Sequence, residues 1–123
     1  MKSATAKVLH RIGGLSLVGH AIRAARTTGA EHVEVVVRHQ RDQVVEFCTT
    51  FDPALVVADQ DEVKGTGRAV ECGLAALPPD LSGTVLVTYG DTPLLSGATL
   101  VELAARHTDN GSAVTIVTAH VED

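Results

Sequence analysis

The chain has 123 residues, 45% of them apolar and 20% charged, with a net charge of −5. That length suits one domain with a single core and is too short for two. The acidic balance excludes a general DNA- or RNA-binding surface, which needs a basic field, but leaves room for a small anionic substrate in a locally positive pocket.

In chain order, residues 1–6 are polar and loop-like, so a helix is expected before any strand. Leu17, Val18, Ala21, Ile22 and Ala25 form an apolar stripe at helical spacing that stops at Gly29. Residues 32–37 (His-Val-Glu-Val-Val-Val) read as a β-branched strand, residues 40–49 as a weaker helix, and residues 55–58 as a second strand. Val70, Leu74 and Leu77 mark another helix, ended by Pro78-Pro79. Residues 84–89 are expected to form a third strand and residues 113–118 a fourth. Between them a helix starts at Ser96 as N-cap and carries Leu100, Leu103, Ala104 and His107. This alternation predicts an α/β fold with a mostly parallel sheet. The aromatics are few (Phe47, Phe51 and Tyr89), so the core is aliphatic, as strands covered on both faces require. A doubly wound sheet ordinarily opens with a strand and a phosphate-binding turn; the late first strand favours a chain whose opening strand is missing.

Cys48 and Cys72 are too far apart for a Cys-x-x-Cys site and read as reduced helix residues. None of the six histidines shows zinc-ligand spacing with them. No apolar run approaches a membrane span and no secretory stretch opens the chain, so a cytoplasmic protein is expected, with no membrane or nucleic-acid partner.

Four segments could carry chemistry. Tyr89-Gly90-Asp91-Thr92-Pro93 follows an apolar strand, where ligands of open α/β sheets gather. A carboxylate there can hold Mg²⁺ together with substrate phosphates, or simply close a turn. Lys64-Gly65-Thr66-Gly67-Arg68 leads into a helix whose first amides and dipole favour anions, with Thr66 as a possible N-cap; a short Gly-x-Gly is equally a plain turn. Gln60 carries an amide donor and acceptor that match the adjacent N–H and C=O of uracil, or is an exposed loop residue. Lys7 can neutralise charge on a transferring phosphoryl group, or is a solvated lysine.

In order, Met1-Lys2-Ser3, Lys7-Val8-Leu9-His10, Gly19-His20, Val36-Val37-Arg38-His39, Gln60, Gly65-Thr66-Gly67 and Tyr89-Gly90-Asp91-Thr92-Pro93-Leu94-Leu95 make one pattern. It resembles the bifunctional bacterial N-acetylglucosamine-1-phosphate uridylyltransferase and glucosamine-1-phosphate N-acetyltransferase, across nearly all 123 residues. The resemblance implies a three-layer, Rossmann-like nucleotidyltransferase fold, with residues 1–123 as a partial domain. It implies UTP and N-acetylglucosamine 1-phosphate as substrates, UDP-N-acetylglucosamine and pyrophosphate as products, and Mg²⁺ as cofactor. Lys7 then matches the phosphate-contacting lysine, Gln60 and Gly65 the uracil readers with Thr66 beside them, and Tyr89, Gly90 and Asp91 the nucleotide-sugar segment, with Asp91 as metal ligand.

The sequence departs from that pattern. The family's Gly-rich first turn, its later sugar contacts and its trimerising acetyltransferase domain are absent. Ala6 replaces a proline, Arg38 a glycine, Lys64 a leucine and Arg68 a histidine. Lys64 and Arg68 keep positive charge near the nucleotide, whereas Arg38 could crowd the base pocket. The isolated chain is therefore expected to be inactive and poorly folded or associated. The alternatives are a non-catalytic remnant or interaction module, and a related transferase using CTP or GTP, such as a molybdenum cofactor guanylyltransferase.

Overall fold

A computed structural model describes residues 4–122; the Met1-Lys2-Ser3 part of the family pattern lies outside them. A 3-10 turn at Lys7–Leu9 leads into a hairpin of β1 (Arg11–Ile12) and β2 (Leu15–Ser16), followed by α1 (Leu17–Thr27). Then come β3 (Glu34–Val37), α2 (Arg41–Phe51), β4 (Val56–Asp59), α3 (Thr66–Ala76) and α4 (Gly97–Asn110). β3 and β4 pair in parallel, from Glu34 opposite Val56 to Val37 opposite Asp59. The helix α2 is the crossover that such a pair requires.

The hairpin corrects the expectation of a helix before any strand. Gly13 and Gly14 both have positive φ, 60° and 82°, the conformation a two-residue hairpin turn demands. Each of its strands is only two residues long, too short to show a period. His20 Nε2, 2.7 Å from the Ile12 carbonyl, ties the hairpin to α1.

The helices follow from local signals. Ser16 Oγ caps α1 by accepting from the Gly19 N–H at 3.1 Å, and Ser96 Oγ caps α4 from Thr99 N–H at 3.2 Å. Gly111, at φ 59°, closes α4 in the left-handed region. On α1 the buried positions are Val18, Gly19, Ile22 and Ala24. Of these, Val18 and Ile22 join Val37, Val44 and the fully buried Cys48 in the core, beside Ala6. Both cysteines are free and helical, and burial pushes the Cys48 thiol up to about 11. The third helix differs from its expected stripe: Leu74 is exposed, and α3 instead lays Gly73 against Glu34 and Val36 of β3, where a Cβ would collide with both.

Two expected strands are not formed. Residues 84–89 and 113–118 have no regular structure, and Val85, Val87, Val114 and Ile116 are exposed. β-Branched apolar content suits a segment to a sheet, but a strand also needs a neighbour for its backbone groups. No ladder forms with either segment among the described residues, where the sheets are the parallel pair and the hairpin. The architecture is thus mixed α/β, its parallel component reduced to two strands.

After residues 84–89 the chain runs over α1 and is fixed there by α4, which buries Leu100. A Cβ on Gly97 would lie 2.6 Å from Thr27 Cβ, so the start of α4 and the end of α1 touch only because Gly97 has no side chain. Gly97→Val is expected to cost about 1–3 kcal/mol by overpacking, read as a lower urea midpoint with unchanged slope.

Candidate functional site

Loop 60–65 leaves the sheet at the carboxyl end of β4, where the Gln60 N–H donates to the Val37 carbonyl at 2.9 Å. There the Gln60 side chain turns inward. Its Nε2 donates to the carbonyls of Val63, at 2.9 Å, and Gly65, at 3.0 Å. Both amide protons are thereby used, and Oε1 has no partner among the described residues. The expectation of a donor–acceptor pair facing a base is corrected: the side chain offers an acceptor alone.

Gly65, with φ 115°, is in a conformation that L residues rarely adopt, and it is Gly65 rather than Thr66 that caps α3. Thr66 is the first helical residue. The N–H groups of Thr66, Gly67 and Arg68 therefore lack partners in the helix, as in any first turn. Thr66 and Gly67 are exposed and Arg68 is half-buried. Their first-turn amides form a place suited to an anion.

The carboxylate of Asp61 folds back over the same loop. Its Oδ1 accepts from Val63 N–H at 3.1 Å and from Arg68 Nε at 3.2 Å, and its Oδ2 accepts from Arg68 Nε at 3.0 Å and also from Nη2. Arg68 Nη1 reaches Glu71 Oε2 at 3.0 Å. The bonds from Arg68 hold the Asp61 carboxyl below the usual carboxylate range, and those from Asp61 and Glu71 raise the Arg68 pKa. Arg68 is thus neutralised within the protein, contrary to its reading as charge kept for the nucleotide. Arg38 Nη2, 3.5 Å from the Glu62 carbonyl, lies along the outside of this loop. The sequence pattern does not single out Asp61; an acid directly after Gln60 and seven positions before an arginine is the signal that marks it.

A second cluster joins residues 84 positions apart. Lys7 Nζ is 3.0 Å from Asp91 Oδ2. Lys7 is positioned from behind by Gln43, whose Nε2 donates to the Ala4 carbonyl at 2.8 Å and whose Oε1 accepts from Ala6 N–H at 3.0 Å. Opposite, Gly90 packs against Val8 and Val18, 3.5 and 3.8 Å from a Cβ placed on it. The ion pair is open to water, with side-chain exposures of 79% for Lys7 and 38% for Asp91. Such pairs contribute only about 0–1 kcal/mol, so apolar packing at Gly90 sets the approach and the charges remain available. Tyr89 is exposed, and its carbonyl accepts from Thr92 Oγ1 at 3.1 Å. Because residues 84–89 are not a strand, Asp91 is placed by the 3-10 turn and α1 rather than by a strand end.

The structure therefore brings together Lys7 with Asp91 and Gly90, and Gln60 with Gly65 and Thr66. No hydrogen bond or ion pair joins the two clusters among the described residues. Two open concavities lie elsewhere, one of about 480 Å³ between Leu9 and the Phe47–Phe51 stack, the other at residues 40–43.

A family model described as the MobA-like NTP transferase domain matches residues 1–123. The chain belongs to that family. Relatives of this MobA-like domain include the bifunctional protein GlmU of Kineococcus radiotolerans, 62% identical over 123 residues, which are all of this chain and 25% of that protein. GlmU of Micrococcus luteus is 57% identical over 128 residues, covering all of this chain and 26% of that protein. GlmU of Streptomyces avermitilis is 55% identical over 123 residues, again all of this chain and 26% of that protein. The MobA-like domain thus spans about a quarter of the length of the curated relatives it matches. Membership makes it a nucleotidyltransferase domain of the nucleotide-diphospho-sugar transferase fold. No described helix is long and apolar enough to cross a membrane.

Gly65→Ala is expected to destabilise the MobA-like domain by about 1–2 kcal/mol, since Ala at this φ is strained. Thermal melting should show the loss, and an unchanged melting temperature would mean that the loop relaxes freely.

Proposed function

We propose that this chain is part of a uridylyltransferase that joins UTP and N-acetylglucosamine 1-phosphate into UDP-N-acetylglucosamine and pyrophosphate. The observation that carries the reading is the pairing of Lys7 with Asp91 across 84 residues, which puts a cation and a carboxylate at one exposed point. Identity of 62% with a GlmU protein over the whole chain supports the choice of reaction.

The reaction needs no nucleophile from the protein. A phosphate oxygen of the sugar phosphate attacks the α-phosphorus of UTP, a new P–O bond forms, and the bond to the β-phosphate breaks as pyrophosphate leaves with its electron pair. Rate then comes from positioning and charge neutralisation. Gln60 Oε1 accepts the ring N–H of uracil, and the amides of Gly65 and the first turn of α3 donate to nucleotide oxygens. The ammonium of Lys7 offsets negative charge on the reacting phosphates. Tyr89 and Gly90 flank the sugar side, where Gly90 leaves backbone accessible.

Asp91 is the residue that would hold Mg²⁺. Its Oδ2 is engaged by Lys7, while Oδ1 has no partner among the described residues. One carboxylate suits an ion whose remaining ligands are substrate phosphates and water. When bound, Mg²⁺ supplies charge neutralisation at the phosphate oxygens. Three-fold assembly belongs to the same proposal, as a property of the full-length protein.

Calorimetric titration tests the reading. UTP with Mg²⁺ is expected to bind at least about tenfold more tightly than CTP or GTP, a difference of about 1.4 kcal/mol. Asp91→Ala should remove the Mg²⁺ dependence of that affinity. Binding of GTP alone would overturn the uridine assignment, and equal Mg²⁺-dependent binding by Asp91→Ala would remove Asp91 from the metal site.

A further inference from the structure

The Gln60 carboxamide is unusual in being spent on one side only. Its two protons are held by the Val63 and Gly65 carbonyls, so rotation of the amide would break two bonds at once. Those carbonyls stay in place only while the loop keeps its curl. The curl is held from outside by a second clasp, in which Asp61 grips the Val63 N–H and the Arg68 guanidinium grips Asp61 through Nε and Nη2. Glu71 fixes the other edge of that guanidinium, 3.0 Å from Nη1. Forked, networked pairs of this kind hold geometry better than isolated surface ion pairs.

We infer that Asp61 and Arg68 are positioning residues that lock Gln60 as an acceptor, and thereby set discrimination of uracil from cytosine at the site. This rests on the uridylyltransferase reading. At the equivalent ring nitrogen uracil carries N3–H, a donor, and cytosine carries a bare N3, an acceptor. An amide fixed with its oxygen outward accepts from the first and faces the lone pair of the second. An amide released from the loop can rotate and donate to cytosine N3 through Nε2. The clasp therefore acts on the ratio of affinities, which a general loss of stability would leave unchanged.

The experiment compares wild type, Arg68→Gln, Arg68→Lys and Asp61→Asn in two measurements. The first is UTP and CTP affinity. Wild type is expected to favour UTP at least about tenfold, Arg68→Gln to narrow that ratio to about twofold, and Arg68→Lys to recover part of it. The second needs no nucleotide: hydrogen exchange of the Gln60 side-chain amide by NMR, expected to be at least about tenfold faster in Arg68→Gln and Asp61→Asn than in wild type. Unchanged amide exchange in those variants would overturn the clasp. Faster exchange with an unchanged UTP-to-CTP ratio would overturn its role in discrimination. A wild type that shows protected amide protons but no preference for UTP would overturn the uridine reading and leave the clasp standing.

Discussion

The parallel ladder between β3 and β4 is the constraint from which the nucleotide side of the site is built. Its rungs run from Glu34 and Val56 to Val37 and Asp59, and the bond from Gln60 N–H to the Val37 carbonyl extends it one residue further. That bond fixes where loop 60–65 leaves the sheet. Gly65 then reverses the chain at a φ of 115°, and α3 begins immediately, so the acceptor of Gln60 and the free amides of the first turn lie within one short loop. Had the ladder slipped by one residue, every side chain of β4 would face the opposite side.

The phosphate side depends on different physics. The Lys7–Asp91 pair is exposed and too weak to hold two distant segments together. Contact between Gly90 and the valines at positions 8 and 18, the grip of Gln43 on residues 4–6, and the close seat of Gly97 on Thr27 do that instead. Only the seat at Gly97 relies on an absent side chain; Gln43 acts through a neutral amide, and none of the three uses a charged group. Loop 60–65 shows the reverse arrangement: there the charged pair of Arg68 and Asp61 holds the loop's shape.

Much of the element order is legible in the sequence, because β-branched runs and helical stripes report backbone period directly. The helices through Val18 and Ile22 and from Ser96 onward lie where their stripes and the Ser96 cap put them, and the weaker helix expected at residues 40–49 forms at Arg41–Phe51. What period does not carry is partnership. Residues 84–89 and 113–118 are rich in β-branched residues as strands are, yet form none, because a strand needs a paired neighbour as well as a suitable composition. The hairpin at Gly13-Gly14 escapes a periodicity reading because two residues per strand contain no repeat. At the site, residue type identifies Gln60 and Lys7 as groups able to meet a nucleotide. Which half of an amide is already used, or that Arg68 is closed off by Asp61 and Glu71, depends on distances that spacing does not encode.

No hydrogen bond or ion pair joins the two clusters among the described residues, and the proposed reaction requires a single nucleotide to engage both. Backbone amide NMR during titration of UTP with Mg²⁺ tests this most directly. Amides of Gln60, Gly65 and Gly67 and those of Lys7, Gly90 and Asp91 should shift along one saturation curve with one dissociation constant. Movement of only one set, or two sets saturating at different concentrations, would contradict a shared site.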